Sequence, residues 1–327
     1  MLKVKNLNFL SPVVVAPMAG ISNAAFREMA FNNGAGLVFT EMISDQALFY
    51  NNEKTLKMAE ADNDYHPLAM QIFGSDPAKM VYAAQYVDRH TNADIIDINM
   101  GCPVKKVIKT GAGSALLTNP QLAFEIVSKV VEAVEKPVSV KMRVGFYNDD
   151  FDYVGFAKGL EKCGIAFLTV HGRTRSQMYE GKADWQKIKE IKEALSIPVI
   201  GNGDIKTVDD YIKAVEFSKV DAIMIGRALI GNPFLIKEIN NYLEGKENYE
   251  VSYRERFAAC LKHFEKLIEL EGELNATKQM RGLAPHYLSG LPCSASYRGM
   301  CNKIASFNDL VIIFDEYSAY LDSLSCQ

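Results

Sequence analysis

The sequence predicts an α/β fold, a (β/α)8 barrel followed by a small helical bundle, and three observations carry that expectation. Short runs rich in β-branched residues recur eight times over roughly 240 residues, the span such a barrel needs. Most of these runs are apolar throughout, as in parallel strands covered on both faces. Each run also ends in polar residues or glycine, on the side where barrels of this kind carry their sites.

The predicted strands are residues 13–17, 36–40, 68–73, 95–99, 138–142, 167–171, 198–201 and 222–226. Helical patterns separate several of them, at 23–31, 76–90, 122–134, 185–195 and 208–217. Asn23 is a good N-cap residue. Asp76-Pro77 and Asn119-Pro120 each combine an N-cap side chain with proline at the first helical position. The barrel is expected over residues 1–240 and a helical domain over 241–327.

Composition narrows the function. With 327 residues, 48% hydrophobic, and a net charge of −4, the chain buries a large core and is no generally basic nucleic-acid binder. Any RNA contact must be a local patch. The six cysteines are scattered without metal spacing, so neither a disulfide framework nor a metal site is expected. The start of the chain lacks the apolar core of a signal peptide, and no apolar run approaches ~18 residues. A cytoplasmic protein, away from membranes, is expected.

The strand ends hold the chemistry. The first carries Pro17-Met18-Ala19-Gly20, the second Thr40-Glu41-Met42 and the third Gln71. The fourth runs into Asn99-Met100-Gly101-Cys102-Pro103, then Lys105, Lys106 and Lys109, and on to Gly111-Ala112-Gly113. Lys141 and Arg143 share one side of the fifth strand by its two-residue period. His171-Gly172-Arg173-Thr174-Arg175 follows the sixth, Asn202-Gly203-Asp204 the seventh and Gly226-Arg227 the eighth. A purely structural barrel has no need of polar groups at every strand end, so the chain reads as an enzyme.

Glycines after strands seven and eight let backbone N–H groups approach a phosphate. A phosphorylated substrate or a flavin mononucleotide suits that spacing equally. Lys141 follows a mostly apolar run, and a buried ammonium without an anion is expensive, which favours an anionic cofactor beside it. Gln71 supplies an amide that both donates and accepts at a heterocycle edge. Cys102 taken alone reads as well as a packing cysteine as a site thiol. Glu41 and Asp97 read as internal partners of basic residues, Asp97 as structural, and Trp185 as packing at a helix start.

Taken together, Ala16-Pro17-Met18-Ala19-Gly20, Asn99-Met100-Gly101-Cys102-Pro103, Lys141-Met142-Arg143, His171-Gly172-Arg173-Thr174-Arg175-Ser176-Gln177 and Gly201-Asn202-Gly203-Asp204-Ile205 resemble the tRNA-dihydrouridine synthases. Tyr179-Glu180-Gly181 and Ala183-Asp184-Trp185 extend the match, which looks closest to the bacterial B-type branch. It runs over residues 13–234 and continues more weakly through 278–301. The resemblance implies an FMN-dependent barrel that uses NADPH to reduce the C5–C6 double bond of uridine in tRNA.

Residue by residue, it implies that the backbone of Pro17, Met18 and Ala19 holds the isoalloxazine ring and Gln71 its polar edge. Lys141 would face the N1/O2 side, where a cation stabilises reduced flavin. His171 would lie near the ring and phosphate end, with Asn202, Gly203, Asp204, Gly226 and Arg227 around the ribityl phosphate. Cys102 would be the general acid. Hydride arriving at uracil C6 leaves C5 in need of a proton, and a thiol of pKa near ~8.5 is mostly protonated at neutral pH yet able to release it. Asn99 and Arg143 would contact the uridine or its backbone, with Arg173 and Arg175 also on the substrate side. Two departures stand out: Asn23 replaces the family's usual aspartate, and Ser289-Gly290-Leu291-Pro292-Cys293 replaces a Lys-Gly-Leu-Pro-Gly pattern.

Beyond residue 241, helices are expected at 253–270 and 304–321. Residues 274–308 contain no acidic side chain but carry Lys278, Arg281, Arg298 and Lys303, with Tyr287 and Tyr297 interleaved. In an otherwise acidic chain this gap reads as a place for RNA phosphate, with Lys278, Arg281 and Arg298 as tRNA contacts. A monomer is expected. The rival readings are an FMN barrel acting on a free pyrimidine, a non-catalytic RNA-binding barrel, and a flavin-free lyase or isomerase using Lys141 as a Schiff base. The acid-free appendage argues against the first, and intact Cys102, Lys141 and His171 against the second. An absorption spectrum separates the third.

Overall fold

The computed structural model describes residues 3–4, 7–60, 65–147, 151–247 and 249–325; Cys326 lies outside them. Two compact units divide the chain, Met1–Arg27 with Gly34–Gly226, and Glu28–Asn33 with Arg227–Gln327.

In the first unit a short antiparallel hairpin, β1 (Lys3–Val4) and β2 (Leu7–Asn8), precedes the barrel. The barrel strands are β3 (Val13–Val15), β4 (Val38–Phe39), β5 (Ile43–Ser44), β6 (Leu68–Phe73), β7 (Ile95–Met100), β8 (Val138–Arg143), β9 (Phe167–His171), β10 (Val199–Asn202) and β11 (Ala222–Ile225). All pair in parallel in the order β3-β11-β10-β9-β8-β7-β6-β4, with β5 also on β6. The Val15 N–H donates to the Leu37 carbonyl at 2.9 Å and the Gly36 N–H to the Val13 carbonyl at 2.8 Å, which joins the first position to the second.

The second barrel strand is therefore split into β4 and β5, where the sequence suggests one run. Thr40 explains the break. Its hydroxyl accepts the Gln71 N–H at 3.1 Å and donates to the Glu41 carbonyl at 2.8 Å, replacing a ladder bond by a side chain. The strand is released for three residues and rejoins β6 at Ile43.

Helices alternate with the strands: α1 (Ala24–Asn32), α2 (Asp45–Phe49), α3 (Glu53–Ala59), α4 (Pro77–His90), α5 (Lys105–Ile108), α6 (Pro120–Ala133), α7 (Tyr153–Lys162), α8 (Trp185–Ala194) and α9 (Val208–Ser218). Asn23 caps α1 by accepting the Phe26 N–H, so the family's aspartate is not needed there. Asp76 and Asn119 cap α4 and α6 ahead of their prolines, as the sequence suggests. Inside the ring, Val14, Ala16, Leu37, Phe39, Ala69, Ile95, Phe167, Ile200, Ala222 and Met224 make a dry core. Period two then carries β7, β8, β9 and β10 from that core to polar residues at their carboxyl ends.

The second unit contains α10 (Phe234–Leu243), α11 (Tyr253–Glu271), α12 (Glu273–Tyr287), α13 (Ser294–Cys301) and α14 (Phe307–Ser325). Tyr287 is buried and hydrogen-bonded to His263, while Tyr297 stacks on Tyr317 with centroids 3.9 Å apart. Both tyrosines of the acid-free stretch thus pack within the unit. Lys278, Arg281, Arg298 and Lys303 are exposed. Cys293 adopts φ +52°, a conformation that favours glycine, and lies 2.9 Å from the Tyr320 hydroxyl.

Candidate active site

Strand register builds the site in layers. Gln71, Asp97 and Ser139 are lateral neighbours; above them lie Asn99, Lys141 and Thr169, then Arg143, His171 and Asn202. The lower two layers are linked by a directional chain of hydrogen bonds. Asp97 accepts from Gln71 Nε2 and from Ser139 Oγ, both at 2.6 Å. Gln71 Oε1 accepts from Asn99 Nδ2 at 2.7 Å. Asn99 Oδ1 accepts the N–H groups of Gly101 at 3.0 Å and Cys102 at 2.8 Å. Because a carboxylate only accepts, it fixes which way both amides face and so presents an acceptor to the loop of Cys102.

Asp97 is fully buried, and burial lifts its pKa to about 6 against the lowering influence of Gln71, Ser139 and Lys141. Its hydrogen-bond partners are neutral, where the sequence suggests a basic one. Glu41 likewise accepts the Gly20 N–H, tying the loop after β3 to the loop after β4. Asp97 and Ser139 are the site residues that sequence reading misses. The signal is the alternation at 95, 97 and 99, which puts Asp97 on the same face as Asn99.

Cys102 is buried beside Val107 and Ala112, with Met42 and Phe73 against them. Burial raises its pKa, and Arg143 and Lys141 only partly offset this. The group is a thiol at neutral pH. Its carbonyl accepts from Ser114 Oγ at 2.8 Å. Gly113, at φ +62°, passes so close that an added Cβ would sit 3.0 Å from that carbonyl oxygen. Lys105, Lys106 and Lys109 are exposed on and just after α5.

Lys141 is half-buried, and its pKa falls to about 8, by desolvation first and the nearby Arg143 second. Its hydrogen-bond acceptor among the described residues is the neutral Asn202 Oδ1, at 3.2 Å. Two ammonium donors remain for an anion. Asn202 is itself oriented by donating to the Met224 carbonyl at 2.8 Å. Gly203 (φ +138°) lies under His171: a Cβ there would come within 2.5 Å of Ala183 and 3.4 Å of the His171 ring. At Gly226 a Cβ would meet Ala16 and Met18 at 3.4 and 3.6 Å. Pro17, Met18 and Ala19 follow β3 on the same rim, and Arg227 follows Gly226 as the first residue of the second unit.

Several predicted binding residues are held by the protein itself. Arg143 is buried, donating from Nε to the Gly101 carbonyl at 2.9 Å and from Nη1 to those of Thr174 and Met178, both at 2.8 Å. Arg173 is buried against both oxygens of Asp204 at 2.8 Å and donates to the carbonyls of Glu180 and Gly181. The Asp204 carboxylate is committed to Arg173 and to the Ala183 N–H. Arg175 lies over the Phe146 ring at 5.2 Å. Trp185 packs at the start of α8 as expected, its ring against Gly201, and donates to the Gly203 carbonyl at 3.2 Å. Among the described residues no group of three His, Cys, Asp or Glu side chains is placed to hold a metal. No helix among them is long and apolar enough to cross a membrane.

A family model described as dihydrouridine synthase matches residues 14–323. The chain belongs to the dihydrouridine synthase family. It is 40% identical over 304 residues to tRNA-dihydrouridine synthase B of Vibrio parahaemolyticus, covering 93% of this chain and 94% of that one. A protein of Rickettsia bellii named "Probable tRNA-dihydrouridine synthase" is 37% identical over 326 residues and 99% of each chain. Among solved structures, 2-naphthoyl-CoA reductase superposes with a TM-score of 0.60 at 14% identity, over 75% of this chain and 52% of that one. At that identity the likeness supports the barrel fold of this family member and nothing finer.

Proposed function

We propose that this chain reduces the C5–C6 double bond of uridines in tRNA to 5,6-dihydrouridine, with FMN as its cofactor and NADPH as the reductant. The observation that carries the reading is a buried, protonated thiol at Cys102, whose main-chain N–H is held on the Asn99 amide one strand away from the half-buried cation Lys141. Family membership and the printed names of the relatives supply the substrate class.

The residues fit FMN. Lys141 has unspent donors in a half-buried position, and Gly203 and Gly226 leave backbone bare beside His171 and Met18. Lys141 and Asn202 would meet the ring's N1/O2 side, while Gln71 retains one amide hydrogen for its polar edge. His171, the backbone of Gly203 and Asp204, and Gly226 would surround the phosphate; the Asp204 side chain serves Arg173 instead. When bound, FMN supplies the hydride that adds to uracil C6, and NADPH restores it. The Cys102 thiol delivers the proton to C5, so that one hydride and one proton complete the reduction. Exclusion of water around Cys102 and the raised thiol pKa keep that proton in place until charge develops at C5.

The barrel over residues 1–240 would be catalytic and the helices over 241–327 would bind tRNA through Lys278, Arg281 and Arg298. The test measures dihydrouridine in tRNA from a strain carrying each variant as its sole copy. Cys102→Ala should retain bound FMN by absorbance and lose product by ~10²-fold or more, the usual scale for a positioned general acid. Product at wild-type level in that variant, or turnover of free uridine in place of tRNA by the unaltered protein, would overturn the reading.

A further inference from the structure

The rim beside Cys102 exposes large rings that the reduction chemistry does not use. Tyr147 is 56% exposed, Tyr179 51% and Met178 39%, all on the loops after β8 and β9. Exposed apolar groups gathered on one rim mark a contact surface. The two loops are zipped together, since the Arg175 N–H donates to the Gly145 carbonyl and the Ser176 N–H to that of Phe146, both at 2.9 Å. Their rings are braced from behind by cations: Arg143 lies 5.7 Å from the Tyr179 centroid, and Arg175 lies over Phe146, which meets Tyr147 edge-on at 4.7 Å. Met178 holds φ +53°, a strained conformation for a residue with a side chain, and its carbonyl accepts from Arg143. The surface is built, not merely left over.

Its position relative to the thiol is set by the same guanidinium. Arg143 Nε donates to the carbonyl of Gly101, the residue before Cys102, while Arg143 also faces the Tyr179 ring. One side chain therefore separates Tyr179 from the thiol's loop. We propose that Tyr179, backed by Arg143, and Tyr147 on the adjoining loop form a stacking platform for the nucleobases that flank the uridine presented to Cys102. This rests on the proposed function above and deepens it. A uridine must leave its stack to meet a buried thiol, and the neighbours it abandons lose stacking in turn. Aromatic side chains replace that loss at any sequence, because every base has a π-face.

Continuity with the uridine site selects RNA as the occupant over a second copy of the chain. Lys105, Lys106 and Lys109 are exposed on the segment that follows Cys102 and complement a polyanion that arrives with the reacting uridine. Beside the rings the exposed charges are of both signs, Glu180 and Asp152 against Lys182, which leaves the contact there to the ring faces.

The test measures binding of a labelled tRNA transcript to the FMN-loaded protein at several salt concentrations. Tyr147→Ala/Tyr179→Ala should raise Kd by about 30-fold or more, since each lost base stack contributes roughly 5- to 150-fold. The slope of log Kd against log salt should not change, because no phosphate contact is removed. Tyr147→Phe/Tyr179→Phe should stay within about twofold of the parent, and the alanine variant should keep its melting temperature and flavin content. Parental affinity in the double alanine variant, a changed slope, or equal loss in the phenylalanine variant would overturn the platform. So would a change of sedimenting mass in place of a change in tRNA affinity, which would assign the rim to a second copy. If the unaltered protein does not bind tRNA at all, the functional reading itself falls.

Discussion

The barrel and the helical unit both bury ionisable groups, but in opposite styles. In the barrel, Asp97, Gln71, Asn99 and Ser139 are chained by hydrogen bonds that lead to the main chain of Cys102, with the charged Lys141 beside them. In the helical unit, burial holds each group neutral: His263 is lowered to about 4, Cys301 is raised to about 11, and Cys260 and Tyr287 go well above their usual values. The same unit stacks Phe257 on Phe314 and Tyr297 on Tyr317. A buried charge that is kept, with polar neighbours aligned toward a common point, marks chemistry. A buried polar group pushed to neutrality with no such chain leading to it marks architecture; Cys102 is neutral as well, but the chain ends on its loop.

The comparison is broken most severely at Asp97. Asp97→Leu strands Gln71 Nε2 and Ser139 Oγ without an acceptor, at about 1–3 kcal/mol each, so denaturant unfolding should show a loss of about 4 kcal/mol. Asp97→Asn keeps an acceptor toward Gln71 and turns Ser139 into an acceptor, and should stay within about 1 kcal/mol. The Cys102 loop should follow: alkylation of the thiol should speed up in the leucine variant and not in the asparagine variant. Equal behaviour of the two would mean that the amides do not depend on the carboxylate for direction.

Acid titration separates the two regions next. His263 has its folded pKa below its unfolded value, so the unfolded chain binds the extra proton between about pH 6.5 and 4. Through this group the stability of the helical unit falls on acidification across that window, by up to about 3 kcal/mol. Asp97 acts the other way. Its folded pKa of about 6 lies above the unfolded value of 3.8, so the folded barrel takes up the proton first and gains stability as pH falls from 6 toward 4. His263→Phe should flatten the first dependence and Asp97→Asn the second, each measured by denaturant melts at several pH values. A pH profile unaltered by His263→Phe would remove the histidine from the acid response.

The smallest effect concerns the exposed face of the helices. Lys278→Glu/Arg281→Glu should weaken tRNA binding and reduce the salt slope by about one per lost phosphate contact. Lys278 is the cleaner half of the pair, since Arg281 Nε also donates to the Ile304 carbonyl at 2.8 Å and supports the fold there. An unchanged slope would make the acid-free stretch a solvated surface.

Much of the barrel is legible in the sequence because its strands are continuous apolar runs, and β6, β7 and β9 fall where those runs lie. Helix α7 is harder to see, because Gly155 and Gly159 lower its propensity. The structure shows why at least one glycine is there: a Cβ at Gly159 would lie 2.2 Å from the Phe124 ring of α6. The break in the second strand depends on where the Thr40 hydroxyl points, which no local pattern encodes. In the site, the types and positions of Cys102, Lys141, Asn202 and His171 are readable from strand ends. That Arg173 and Asp204 answer each other is not, since 31 residues separate them and only the barrel's curvature brings them together.

Arg143 works as a rivet between two loops. The acceptors of its hydrogen bonds at Gly101, Thr174 and Met178 are all main-chain carbonyls. Such a joint is indifferent to the side chains at the residues it clamps. The spacing between rim and thiol is thus set by main chain alone, whatever the exposed side chains of the rim touch.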